Sequence, residues 1–168
     1  MSEIDSHHDG PGRQFVREAK VSDAEFIASL QAASLTELFD DLSLDTPVAA
    51  QDLIENWREA VGQQSGGRVV LIAEDQGVSV GFAAMNEGEI LALEVDASAR
   101  CQGHGSRLLA ALADLADVPE LSMWLLPEQS GLIGLIQSAG FGPAGKRRTL
   151  ESPGAPLVQH LWHATLDN

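Results

Sequence analysis

The chain has 168 residues, enough for one domain with a real core, and 44% of them are hydrophobic. Ten basic residues against 25 acidic ones leave a net charge of −15, which argues against nucleic acid and anionic membranes as partners, since both are bound through lysine and arginine. No apolar run reaches the length of a membrane span, the first residues lack an apolar signal core, and a single cysteine excludes an intrachain disulfide, so a soluble cytoplasmic protein is expected.

Residues 1–13 are polar, contain His7-His8 and Gly10-Pro11-Gly12, and read as a flexible tail; residues 14–168 read as the folded domain. Gln14 to Ala19 alternates enough for a short strand. Ser22-Asp23-Ala24-Glu25 has the form of a capping box and opens a helix with Phe26, Ile27, Leu30 and Ala33 on one side. A second helix is expected from about Val48 to Val61. Acids crowd this region, Glu37 and Asp41 among them, with Arg58 the one base between Ser22 and Ala60; they read as the wet faces of two helices rather than as an acceptor site.

Three strands follow as a meander: Arg68 to Glu74, Val78 to Met85, and Glu89 to Val95, separated by Asp75-Gln76-Gly77 and Asn86-Glu87-Gly88. A polar link, Asp96 to Arg100, leads into Arg100-Cys101-Gln102-Gly103-His104-Gly105-Ser106 and a helix whose stripe is Leu108, Leu109, Leu112, Leu115 and Ala116. Leu121 to Leu126 is a strand. Gln129 to Ala139 is a helix stopped by Gly140-Phe141. Arg147 to Glu151 and Leu157 to Leu166 close the chain as a hairpin.

Strand, glycine turn and helix together make a phosphate cradle. The first N–H groups of a helix lack partners inside it, the summed peptide dipoles place positive charge there, and glycines let a ligand approach the main chain. A dinucleotide fingerprint needs glycine where Leu108 stands, and no Gly-Lys-Ser/Thr is present. The remaining pattern, R-x-x-G-x-G over Arg100 to Gly105, resembles the coenzyme A signature of the GNAT family of N-acetyltransferases. Gly81-Phe82, Val95-Asp96, Gly140-Phe141 and the succession β-α-α-β-β-β-α-β-α-β-β are similar to that family over about residues 14–166.

The resemblance implies an α/β (α+β) GNAT acyl-CoA N-acyltransferase fold, with a mixed, mostly antiparallel sheet of six to seven strands flanked by about four helices. It implies acetyl-CoA as cosubstrate, a primary amine as acceptor, direct attack in a ternary complex, no metal, and either a monomer or a homodimer. Leu93, Glu94 and Val95 would hold the pantetheine arm. Arg100, Cys101, Gln102, Gly103, His104, Gly105 and Ser106 would hold the pyrophosphate, with Arg107 as a further charge, and Gln129 would reach the pantetheine. Glu89 matches the family's catalytic glutamate in its histone-acetylating branch; Glu94 is the alternative base, on the opposite face by period two. The family's usual tyrosine acid is replaced by Ile136, and the chain has no tyrosine. That gap motivates the rival reading, a non-catalytic acyl-CoA-binding module. The acidic charge favours a cationic amine or a basic peptide terminus as acceptor.

Cys101 could be a nucleophile at the helix start, but reads better as a small residue in a ligand loop. His160 and His163 on one strand do not make a metal site. Trp57 and Trp124 read as core rather than pocket.

Overall fold

The structure is a computed structural model and describes residues 13–152 and 154–167. The tail features, His7-His8 and Gly10-Pro11-Gly12, lie outside the described residues. Seven strands form one sheet in the order β1-β2-β3-β4-β5-β7-β6. They are β1 (Gln14–Glu18), β2 (Arg68–Asp75), β3 (Val78–Asn86), β4 (Glu89–Val95), β5 (Glu120–Leu125), β6 (Gly142–Leu150) and β7 (Leu157–Thr165). All neighbours are antiparallel except β4 and β5. Four helices complete the fold: α1 (Ala24–Asp41), α2 (Gln51–Gly62), α3 (His104–Leu115) and α4 (Ser130–Ser138).

The two sheet faces bury different helices, because side chains alternate along each strand. On one face, Ile27 and Leu30 of α1 and Val61 of α2 pack with Val70, Ile72, Phe82, Ala84 and Ala92. Trp57 belongs here. Its ring meets Phe82 edge-on at 5.2 Å, and its Nε1 donates to Gln31 at 2.7 Å. On the other face, Leu108, Leu109 and Leu112 of α3 and Ile136 of α4 pack with Leu71, Ala83, Leu93, Leu121, Met123 and Leu125.

Several local expectations change. The start of α1 is not capped by Ser22, which is exposed. Asp23 instead accepts from the Lys20 N–H at 2.7 Å and pairs with Arg17 at 2.8 Å, behind a 3-10 turn over Val21–Asp23. Arg17 also holds Glu74 at 3.1 Å, so the ion pairs draw Asp23 inward and move the cap by one residue. Leu115 is 55% exposed rather than buried, because α3 ends there and Ala116 is already extended. Ala33 is exposed and Ala32 buried on α1. β6 starts at Gly142, earlier than expected, across an irregularity between Pro143 and Arg147. At the end of α4, Phe141 N–H bonds to Ile136 O at 3.0 Å and Gly140 N–H to Gln137 O at 3.0 Å, with Gly140 at φ +97°. This is the Schellman stop that the glycine predicted.

Candidate functional site

The site is built where two neighbouring strands part. β4 and β5 pair only through Glu89–Ser122 and Ile90–Met123. At the same level β4 carries a bulge: Met85 faces Ile90 and Ala84 faces Ala92, leaving Leu91 as the extra residue. A bulge bends its strand and sharpens its twist, which turns the rest of β4 away from β5. Past Ile90 the β5-facing edge of β4 has no strand partner among the described residues. Its main-chain donors and acceptors are therefore open to an amide-bearing chain laid along them.

The bulge also corrects the reading of the two glutamates. Strict alternation puts Glu89 and Glu94 on opposite faces. With Leu91 inserted, Glu89 (opposite Asn86) and Glu94 (opposite Phe82) share the face that α1 covers.

A cavity of about 510 Å³ opens between β4, α1, α3 and α4. Leu93, Glu94 and Val95 of β4 form one wall, and Ser34, Glu37, Leu38 and Asp41 of α1 another. Arg100, Cys101, Gly103, His104, Gly105 and Ser106 form the end at the start of α3; Gln129 to Leu132 and Leu135 complete it. Glu37 and Asp41, read as wet, thus line the cavity, following the i, i+3, i+4, i+7 face from Ser34. Glu89 and Gln102 do not line it.

Glu94 is half-buried, and Ser34 Oγ donates to its Oε2 at 2.7 Å. Burial pushes the Glu94 carboxyl above the ordinary glutamate value, while the Ser34 hydroxyl and the Arg100 charge pull it part of the way back. Arg100 pairs with Glu37 at 3.1 Å and reaches Val95 O at 3.4 Å. That pairing holds the Glu37 carboxyl below its usual range and staples the end of β4 to α1.

The turn before α3 has the geometry of an anion cradle. Gly103 is the N-cap at φ +86°, a conformation glycine takes without strain, and it offers no side chain to the first helical N–H groups. Those groups belong to His104, Gly105 and Ser106. Gly105, which lines the cavity, also meets α4. A Cβ there would stand 2.7 Å from Leu135 Cδ2, so this glycine lets α4 close against α3. Ser106 is exposed and lines the cavity.

The basic side chains of the turn are already engaged. Arg107 Nη2 donates to Gln102 O at 3.1 Å and lies 3.0 Å from His104 Nδ1. Since a guanidinium only donates, Nδ1 accepts and Nε2 carries the imidazole proton. Buried His104 turns that Nε2 toward Asp75, 3.3 Å away but poorly aligned for a hydrogen bond. The ring therefore supports the turn from behind, and the main chain is left to meet the cavity. Gln129 is half-committed: its Oε1 accepts from Leu126 N–H at 2.8 Å, leaving its amide NH₂.

The remaining candidates separate. Cys101 is exposed at φ +62° on the cavity rim. His163 Nδ1 lies 3.1 Å from Glu120 Oε2, and no group of three metal-ligating side chains occurs among the described residues. Ile136 is fully buried and cannot deliver a proton. No helix among the described residues is long and apolar enough to cross a membrane.

A model of the acetyltransferase (GNAT) family matches residues 27–141, more than half of the chain. Solved structures share the fold. One is yncA of Salmonella typhimurium, a proposed acetyltransferase determined with its cofactor acetyl-CoA: TM-score 0.71, 20% identity, 93% of this chain and 95% of that one. Another is the ribosomal-protein-alanine N-acetyltransferase of Brucella melitensis: TM-score 0.71, 23% identity, 90% and 99% covered. A third is an N-acetyltransferase of Staphylococcus aureus: TM-score 0.71, 22% identity, 92% and 99% covered. A comparison with curated proteins finds no match.

Proposed function

Because the chain belongs to the acetyltransferase (GNAT) family, we propose that it transfers an acetyl group from acetyl-CoA to a primary amine by direct attack. The observation that carries this is one cavity joining the anion cradle of α3 to a desolvated carboxylate, Glu94, at the opening of β4. Acetyl-CoA supplies a thioester whose C–S bond breaks as the C–N bond to the acceptor forms. The main-chain N–H groups of His104, Gly105 and Ser106 hold its pyrophosphate. The open edge of β4 at Leu93 to Val95 pairs with the pantetheine amides and polarises the carbonyl where negative charge develops. The free NH₂ of Gln129 adds a donor.

Glu94 takes the ammonium proton of the acceptor. Its raised pKa brings it closer to the amine as a proton partner, and its position in the cavity makes it a better base than Glu89. With no tyrosine in the chain and Ile136 buried, the departing thiolate takes its proton from water, and that water takes the second proton shed by the nitrogen as the amide forms. The fit of the cradle and the placement of Glu94 favour catalysis over a binding module.

Calorimetric titration with acetyl-CoA tests the cradle, on wild type and on Ser106→Glu. Ser106 is the third residue of α3, where glutamate is a favourable helix residue, so the variant stays folded. The added carboxylate stands where the pyrophosphate sits, and affinity should fall by about two orders of magnitude or more. Equal binding by both proteins, or none by wild type, rejects the reading. Thiol release with a panel of amines then separates an enzyme from a binding module.

A further inference from the structure

α1 and α2 pack over β2, β3 and β4. On the same side, the face of β5, β7 and β6 carries a row of its own. The register puts Trp124 beside Leu161 and Arg148 beside Gln159. The pairing of Ile90 with Met123 puts Trp124 on the Glu94 face, just where β4 and β5 part. Leu91, 58% exposed, lies at the same parting. The loop from α1 to α2 crosses toward this region: Leu44 Cδ2 would be 3.0 Å from a Cβ on Gly154, in the β6–β7 turn.

Arg148 stands out on this face. Its guanidinium lies 4.5 Å from the Trp124 ring centroid, and its Nε donates to Gln159 Oε1 at 2.7 Å. Two restraints therefore fix the orientation of a long side chain, with the two terminal nitrogens left over. The chain has 25 carboxylate side chains, yet none among the described residues pairs with Arg148. Glu120, on the same face, is engaged by His163. An ordered guanidinium with unused paired donors suits a planar carboxylate, held bidentately.

We propose that the acceptor is a primary amine that also carries a carboxylate and an apolar body, as a free apolar amino acid does, and that Arg148 binds the carboxylate. The inference rests on the acetyl-transfer reading and names its substrate class. Leu161 and the part of the Trp124 ring that Arg148 leaves uncovered form the apolar floor for the acceptor's side chain. Glu94, on the next strand of the same face, receives the ammonium proton. In an α-amino acid the ammonium and the carboxylate share one carbon, so the acceptor would place that carbon between Glu94 and Arg148, with its side chain turned away over the sheet.

The test is steady-state thiol release from acetyl-CoA with leucine, methionine and phenylalanine, each beside its C-terminal amide. Wild type, Arg148→Gln and Arg148→Lys are compared, and acetyl-CoA affinity is titrated for each. For wild type, kcat/KM should favour the free acids over the amides by about tenfold or more. Arg148→Gln should remove that preference by raising KM for the acids about tenfold or more, with little change in kcat or for the amides. Arg148→Lys should restore part of it, since a point charge replaces the fork. Acetyl-CoA affinity should be the same in all three. The proposal is overturned if wild type uses the amides as well as the acids, if it binds acetyl-CoA but acetylates none of the six, or if Arg148→Gln keeps the preference. Failure of wild type to bind acetyl-CoA is a different result, which removes the acetyl-transfer reading itself.

Discussion

At the scale of single residues, the proposed acetyl transfer turns on Glu94 and what surrounds it. Its pKa is raised first by burial, and lowered in part by the Ser34 hydroxyl and Arg100. A base works deprotonated, so kcat/KM should fall as pH drops through that raised pKa, on a limb above the ordinary glutamate value of 4.5. Ser34→Ala removes a hydrogen bond that favours the charged form. The limb should therefore move to higher pH, with the plateau changed little. A pH profile of kcat/KM checks this, and an unmoved limb would leave Ser34 with packing alone. Glu94→Gln should lower kcat by about 10²–10³-fold. The same shift has a stability side. The folded state binds the proton more tightly than the unfolded one, so the group's contribution is fully present below the unfolded value of 4.5 and is lost as pH rises through the folded pKa. Glu94→Gln removes a buried charge that costs stability at pH 8. Its Tm there should rise as its activity falls, the trade expected of a working site. A lower Tm with unchanged kcat would argue that Glu94 is structural.

At the scale of elements, the site is a joint among β4, α1, α3 and α4, and at Gly105 a Cβ would stand 2.7 Å from the tip of Leu135 on α4. Gly105→Val should cost about 1–3 kcal/mol through overpacking, read as a lower midpoint in urea, and should weaken acetyl-CoA because α4 is pushed off the cavity. Ser106→Glu, one residue on, should also weaken binding but with stability kept. Loss of binding without loss of stability marks a direct block of the ligand, and loss of both marks an effect through helix packing. It also marks what could be read from the chain. The glycine turn, the Gly140-Phe141 stop and the order of strands were legible, because local conformation dictates glycine and alternation dictates strands. The bulge at Leu91 was not, since the segment Ile90 to Val95 looks uniformly like a strand, and the extra residue shows only against the register of β3. Without it, Glu94 fell on the wrong face. The Ser34–Glu94 bond joins residues 60 apart, and no local pattern announces it. No local pattern marks Arg148 either, because its partners, Trp124 and Gln159, come together only through the β5-β7-β6 pairing.

At the scale of the whole molecule, the charge works against the proposed donor. The protein carries −15, and acetyl-CoA is a polyanion. The cradle that would hold it relies on main-chain N–H groups, because Arg107 is turned onto its own loop and Arg100 onto Glu37. The local attraction is therefore short-ranged, while the repulsion is summed over many exposed carboxylates. Salt screens the two unequally. The Debye length falls from about 30 Å at 10 mM to about 8 Å at 150 mM, which removes long-range repulsion and leaves contacts at hydrogen-bond distance. Association with acetyl-CoA should accordingly speed up with salt, by roughly threefold or more over that range, with a much smaller change in dissociation. This is the opposite of a site built on lysine and arginine, where anion binding weakens as salt is added. Stopped-flow measurement of kon at the two ionic strengths distinguishes them. A rate that falls with salt would mean that Arg100 or Arg107 leaves its present partner to meet the pyrophosphate. Arg100→Gln and Arg107→Gln would then show which of the two it is.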